Sequence, residues 1–270
     1  MKLALSRSLV ILVVLAASAL TVSSSEATSS NDPVKMFAGE KLVFEGKISR
    51  LRLSIKVAEL TLQSEHNASD NELVIRTVAE SQGTLLRLFR FSFLQRYEST
   101  IDLLSFRITK TTKHDVQKER VRNSEALFDY AEKRVTWVET DPKDLNRPPR
   151  RIASEITSPM HDIVSGIYAL RLDPQLAVGK RFEFTVSDSG LVYKVPVIVT
   201  GRERLGTEIG KVWCFKIEPQ VFGKGRLIEQ KGKMVIWMVD DPTRVPVKAR
   251  IDSQYGKIEI KIKSASLPKT

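Results

Sequence analysis

Cysteine and histidine are scarce in this chain, which has one cysteine and three histidines among 270 residues. A single cysteine, Cys214, cannot form an internal disulfide or build a metal site alone. The histidines, His66, His114 and His161, are far apart in sequence, and none belongs to a metal-ligating spacing. We therefore expect no metal or other cofactor, and a buried strand thiol at Cys214.

Motifs of known catalytic and nucleotide-binding sites are also missing. Ser165-Gly166 lacks the second glycine of a nucleophile elbow. The glycine-containing segment 206–212 does not fit a phosphate-binding loop, and the residues after it have a strand pattern where such a loop needs a helix. The sequence therefore gives no catalytic residues and favours a protein that is not an enzyme.

Two adjacent pairs are the remaining candidates for acid–base chemistry. His161-Asp162 precedes a helical pattern, where capping explains the carboxylate, and Asp240-Asp241 precedes a proline, where turn formation explains both residues. A hydrolase using either pair is the least favoured function.

Long apolar runs are limited to residues 9–20, near the start of the chain. This run follows the basic residues Lys2 and Arg7 and is shorter than the ~20 residues of a membrane-spanning helix. It predicts a cleavable signal peptide over residues 1–27, with an uncleaved anchor as the alternative. Because no cysteine directly follows the run, we expect no lipid anchor. The predicted location is the periplasm or the medium, and the processed chain is not an integral membrane protein.

Alternating apolar and polar residues dominate the rest of the chain, as in Leu51–Val57, where Leu, Leu, Ile and Val alternate with Arg, Ser and Lys. This rhythm predicts an all-β fold with one main helix, a curled antiparallel sheet or half-open β-barrel-like roll. Gly46 is a candidate bulge. The helix is expected over residues 160–171, with Ser158 as N-cap and Pro159 at the first helical position.

The expected organisation is a disordered leader at residues 28–35, a single curled-sheet domain at 36–264 and a tail at 265–270. The proline-rich segment 141–159 is expected to be a long loop that covers an opening of the sheet or divides two lobes. Residues 201–210 are expected to form a turn-rich linker.

Apolar side chains from three segments are candidates to line a ligand cavity inside the curled sheet. They are Leu85, Leu88, Phe89, Phe91, Ile163, Ile167, Tyr168 and Trp237. The alternative is that they fill an ordinary core, since small barrels are usually filled by side chains.

The charge is strongly positive, at +11. Basic residues are spread along the chain, which favours a solvated basic surface, although anionic headgroups or acidic glycans are candidate partners. Export argues against nucleic acid.

The most distinctive segment is 232–251, which predicts two strands joined by the turn at Asp240, Asp241 and Pro242. Both faces of its first strand are apolar, which predicts burial on both sides. Arg244 or Lys248 is the expected counter-charge of the acidic pair.

Together with segments 37–44, 96–102 and 162–171, residues 231–248 resemble a bacterial envelope family known as domain of unknown function 3108. The resemblance extends over about residues 36–264 in order and spacing. It implies an exported, curled antiparallel β protein, and it supplies no catalytic residues.

The sequence thus predicts a non-enzymatic periplasmic protein that binds an apolar or lipid-like group, or a lipoprotein, in envelope biogenesis. The alternative is a structural component of envelope polysaccharide machinery, whose partner is another envelope protein or an acidic glycan.

Overall fold

The structure is a computed structural model, and it describes residues 32–50, 53–83, 90, 92–253 and 256–268. The elements in chain order are α1 (Pro33–Phe37), β1 (Lys41–Arg50), β2 (Leu53–Asn67), β3 (Glu72–Ser81), β4 (Phe93–Asp102), β5 (Arg107–Gln117), β6 (Arg120–Asp129), β7 (Arg134–Thr140), β8 (Arg150–Glu155), α2 (Ile163–Leu172), β9 (Arg181–Asp188), β10 (Leu191–Thr207), β11 (Gly210–Pro219), β12 (Gly232–Val239), β13 (Pro246–Ser253) and β14 (Gly256–Ser266). Among these elements, no helix has the length and apolar character needed to cross a membrane.

The fourteen strands form one antiparallel sheet in the order β8-β7-β6-β5-β4-β3-β2-β1-β14-β13-β12-β11-β10-β9. Two meanders, β1 to β8 and β9 to β14, are joined in the middle, where β1 pairs with β14. β8 and β9 are the two edge strands of this order. Among the described strands no β8–β9 pair joins them, so the sheet does not close into a barrel. The predicted all-β curled sheet is confirmed, and so is the bulge at Gly46, where the β1–β2 register shifts.

Side chains bring the two ends of the sheet together. Ser154 Oγ on β8 donates a hydrogen bond to the carbonyl oxygen of Gly190, in the β9–β10 turn, at 2.7 Å. Gly190 has a φ of +79° and lies against Trp137 and Ile152 of the opposite edge. The segment before α2 adds a backbone link, since the N–H of His161 donates to the carbonyl of Thr185 on β9 at 3.1 Å.

Helix α2 lies inside the curl. Its residues from Ile163 to Arg171 are all buried, as expected of a helix enclosed on every side. A capping box starts it: the Asp162 carboxylate accepts from Ser165 N at 2.7 Å, and Ser165 Oγ accepts from Asp162 N at 2.9 Å. The predicted N-cap at Ser158 and helix start at Pro159 are therefore wrong, because Asp162 and Ser165 form the reciprocal pair that begins the helix.

Two predicted loops contain strands. Residues 150–155 form β8 within the segment predicted to be a loop, and β10 continues through the predicted linker as far as Thr207. β8 was missed because an edge strand pairs on one side only, and most of its side chains are exposed. β10 was missed because Gly201 and Gly206 are tolerated within it, and the β10–β11 register shifts beside Gly201.

Candidate functional site

Three of the predicted lining residues lie in the buried core. Ile163, Ile167 and Tyr168 are all buried on α2. The void beside this helix has a volume of about 50 Å³ and is lined mainly by apolar side chains, including Phe44 and Ile236. Ligand pockets for small molecules usually measure about 300–1,000 Å³. The void therefore has no room for an acyl chain.

The other predicted lining residues do not join this helix. Leu85, Leu88, Phe89 and Phe91 lie outside the described residues. Trp237 lies on the opposite face of β12 from Ile236, because successive side chains of a strand alternate in direction. Its indole N–H donates to Glu203 Oε1 at 2.5 Å, and Lys248 Nζ lies 4.9 Å from the ring centroid. All residues from Met234 to Val239 are buried, which agrees with the prediction that both faces of this strand are covered.

The turn after β12 is held by Asp241. Its Oδ1 accepts from Thr243 N at 2.8 Å, Thr243 Oγ1 at 2.6 Å and Arg244 N at 3.2 Å. The prediction that Arg244 or Lys248 is the counter-charge of the acidic pair is wrong. Asp240 pairs instead with Arg202, which the β10–β11 hairpin brings close. With its carboxylates occupied in this way, the acidic pair stabilises the turn.

The same turn reaches a buried ion pair. Arg244 donates to the carbonyl oxygens of Arg171 and Asp173 at the end of α2. The Arg171 guanidinium binds both carboxylate oxygens of Glu40, at 2.7 and 2.5 Å, and donates to the carbonyl of Thr243. Arg171 and Glu40 are both fully buried. This network joins the β12–β13 turn to α2 and to the start of β1.

The pair His161-Asp162 is also buried. The Asp162 carboxylate accepts from Ser99 Oγ at 2.5 Å and caps α2, and burial raises its pKa despite these hydrogen bonds. His161 is 6% exposed, and its ring packs edge-on against Phe184. The structure therefore places this pair inside the core, where it anchors α2.

Stability should depend on pH through His161. Burial lowers the pKa of its imidazole from 6.5 to about 4. Between these values the unfolded chain binds a proton that the folded chain excludes, so the free energy of unfolding should fall by about 3 kcal/mol as pH drops from about 6.5 to 4. Urea unfolding at several pH values should show this loss, and His161→Leu should remove it. Asp162, whose raised pKa acts in the opposite direction, is common to both proteins. Equal pH slopes for the two proteins would contradict the prediction.

Positive charge is concentrated in a groove of about 740 Å³, which we call the lysine groove. Its charged lining residues are Lys47, Lys211, Lys248, Lys261, Lys263, Glu45 and Glu208. Five lysines and two glutamates leave an excess of three positive charges at neutral pH.

The groove exists because the β10–β11 hairpin is longer than the strand beside it. β11 pairs with β12 only from Cys214 to Ile217, whereas β10 and β11 pair with each other out to the Thr207–Gly210 turn. Residues 201–213, which we call the arm, extend beyond this ladder. The tip of the arm forms one wall of the groove, and strands β1, β13 and β14 form the other.

Glu45 holds two lysines at the first side of the groove. Its carboxylate contacts Lys47 Nζ at 2.8 Å and Lys56 Nζ at 3.0 Å. The hydrogen bonds from Lys47 and Lys56 lower the pKa of Glu45 to about 2, and the pKa of Lys47 is raised by its bond to Glu45. Glu45 and Lys47 are therefore both charged at neutral pH.

Glu259 repeats this arrangement on the next strand. It contacts Lys248 Nζ at 3.0 Å and Lys261 Nζ at 2.9 Å. Partial burial opposes ionisation of Glu259, but the hydrogen bonds from Lys261 and Lys248 outweigh it and lower its pKa. Because Lys47, Lys248 and Lys261 of the groove are each paired with a carboxylate, their ammonium groups are held in place before any ligand arrives.

Sequence reasoning missed this groove because its lysines come from four strands far apart in the chain. The alternation of Ile and Lys in β14 indicated that Lys261 and Lys263 share a face. It could not show that β1 and β13 flank β14, which follows only from the strand order.

The described residues contain no group of three or more His, Cys, Asp and Glu side chains that could hold a metal ion. Cys214 is buried as predicted. Burial raises the pKa of its thiol to about 11, so the thiol is protonated at neutral pH and is a poor nucleophile.

Comparison with known families supports the resemblance seen in the sequence. The model of the family described as "Protein of unknown function (DUF3108)" matches residues 46–263. The chain belongs to the DUF3108 family. No curated protein matches this DUF3108 chain.

Solved structures resemble this DUF3108 protein to different degrees. A β-barrel-like protein of domain of unknown function DUF1849 from Brucella abortus has a TM-score of 0.57 at 10% identity, over 87% of this chain and 99% of that one. A protein from Bacteroides fragilis, described as exported and of YmcC-like fold, has a TM-score of 0.31 at 8% identity, over 85% and 96% of the two chains. The first of these shows the β-barrel-like fold.

Proposed function

We propose that this protein is a non-enzymatic binding protein of the bacterial cell envelope, and that it holds a phosphate-bearing group in the lysine groove. The observation that carries the proposal is the convergence of five lysines, with an excess of three positive charges, in one concave site of about 740 Å³. Basic clefts of this kind focus the field and attract anionic ligands.

Phosphate suits this site for two reasons. Ammonium groups bind phosphate oxygens as compact point charges, without the fixed geometry that arginine imposes. Three of the five lysines are also preorganised, since Glu45 holds Lys47 and Glu259 holds Lys248 and Lys261, which lowers the cost of ordering side chains on binding.

The phosphate belongs to a lipid headgroup or to a phosphorylated envelope sugar, and the two share the chemistry that the groove recognises. The signal-like start of the chain supports the envelope as its location. We place no acyl chain in the described interior, because its void beside α2 measures only about 50 Å³. The lipid-like ligand is therefore held by its polar end.

Calorimetric titration of the processed protein tests this function with three probes. Dihexanoyl phosphatidic acid, below its micelle concentration, represents a lipid phosphate, glucose 6-phosphate represents a sugar phosphate, and dihexanoyl phosphatidylcholine is a zwitterionic control. We expect one or both anionic probes to bind, the control to bind far more weakly, and the affinity to fall as salt screens the lysines.

The double variant Lys261→Gln/Lys263→Gln should weaken phosphate binding about tenfold, because it removes two exposed charge contacts. Glu259 keeps Lys248 as a partner in this variant, so the fold is retained. The matched control is Lys110→Gln/Lys133→Gln, which removes two charges from the meander that ends at β8. Equal losses in the two double variants, or no binding of either anionic probe, would refute the site.

A further inference from the structure

The arm has two faces with different chemistry. Leu205 and Val212, directly opposite each other in the hairpin, pack against the core. Arg204 and Trp213 form the next pair and point the other way. Trp213 is 46% exposed, and Ile209 at the tip is 37% exposed. A tryptophan and an isoleucine thus remain in contact with solvent on one protruding hairpin.

Two arginines lie beside Trp213. The Arg202 guanidinium lies 4.6 Å from the ring centroid of Trp213, and Arg204 is its cross-strand partner. Lys211 extends the basic face towards the tip and also lines the lysine groove. The outward face of the arm is therefore aromatic and basic, and Lys211 connects it to the lysine groove.

This combination matches the interface of a bilayer that contains anionic lipids. Tryptophan is enriched at the headgroup level of membranes, where its apolar ring is buried while its N–H stays hydrated. Arginine and lysine extend their charged ends to the phosphates, and each adds to the attraction of an anionic surface. The net charge of +11 acts in the same direction.

We propose that the arm is a membrane-contact hairpin, with Trp213 and Ile209 entering the headgroup–acyl boundary of an anionic bilayer and Arg204 and Lys211 contacting its phosphates. This surface shares Lys211 with the lysine groove, but Trp213 and Ile209 lie outside the lining of the groove. Contact by the arm would bring the mouth of the groove to the membrane.

Vesicle sedimentation tests the arm. The processed protein should bind vesicles of phosphatidylcholine with about 30% phosphatidylglycerol, and bind phosphatidylcholine vesicles weakly. Trp213→Ser/Ile209→Ser should lower the partition coefficient about tenfold, because it removes the apolar contact. The matched control is Leu104→Ser/Leu145→Ser, two leucines that are each 89% exposed elsewhere, and it should bind like the parent. Unchanged binding by the arm variant would overturn the proposal.

Fluorescence gives an independent readout that needs no destabilising change. Vesicles with acyl-brominated phosphatidylcholine should quench the parent protein, and Trp213→Phe should lose that quenching while still binding, since Trp137 and Trp237 are buried. Equal quenching of the two proteins would overturn the proposal, as would a dimer that dissociates on Trp213→Ser, because a second copy would then cover the arm.

The two sites can fail separately. Lys261→Gln/Lys263→Gln should abolish most binding of soluble phosphate probes while quenching by brominated vesicles persists. Trp213→Ser/Ile209→Ser should bind those probes normally. Loss of probe binding in the arm variant would contradict the assignment of separate surfaces.

Discussion

Arg171→Met should destabilise the folded protein by about 3–5 kcal/mol, because it leaves the carboxylate of Glu40 buried without its partner. Both side chains are fully buried, and the guanidinium also lies 4.7 Å from the ring centroid of Phe37 and 4.9 Å from that of Tyr168. Tyr168 Oη donates to the same carboxylate at 2.9 Å and cannot replace the lost charge. Urea unfolding at neutral pH measures the change.

Two variants make this result specific. Glu40→Gln/Arg171→Met should lower the free energy of unfolding by less than the sum of the losses in the two single variants, because neither charge is then left buried without a partner. Arg76→Met removes an arginine that also contacts two glutamates but is 48% exposed, so it should cost less than about 1 kcal/mol. A small effect of Arg171→Met, comparable to that of Arg76→Met, would mean that the buried pair does not fix the helix.

Gly190→Ala should lower the free energy of unfolding by about 3 kcal/mol, the second largest loss expected here. Its φ of +79° is costly for alanine, and the new Cβ would lie 2.7 Å from the Cβ of Trp137 and 3.0 Å from that of Ile152. Real Cβ atoms do not approach so closely, so the β9–β10 hairpin must move away from β7 and β8. The two ends of the sheet would then separate.

Gly179→Ala is the matched control for this change. Gly179 has a similar φ of +87°, but a Cβ there would have no atom within 4 Å. Gly179→Ala should therefore lower the free energy of unfolding only by the cost of a positive φ for alanine, about 1–2 kcal/mol. The difference between the two unfolding free energies measures the contact between the ends of the sheet, and equal values would mean that this contact is loose.

Local patterns in the sequence were enough to predict the main features of the fold. Period-two alternation in β2 and β14 requires one buried face, and the apolar residues of Met234–Val239 require two, whatever the rest of the chain does. The bulge at Gly46 and the turn at Asp241 follow from the chemistry of single residues.

Other features depended on competition between neighbouring signals. Ser158 and Pro159 form an acceptable helix start, but Asp162 and Ser165 satisfy each other's backbone groups, and the helix begins there. β8 follows two prolines, and its strand character comes from the free edge of β7, which the local sequence does not encode.

The hairpin at residues 232–251 illustrates the division between sequence and tertiary structure. Its sequence determined two strands, a turn held by Asp241 and family membership. Only the tertiary structure decided that Asp240 pairs with Arg202, that Arg244 binds the end of α2, and that Lys248 joins the lysine groove. The reason is physical: backbone conformation responds to neighbours in sequence, whereas charge pairing depends on which strands lie side by side, and in this sheet β1 and β14 join the two ends of the chain.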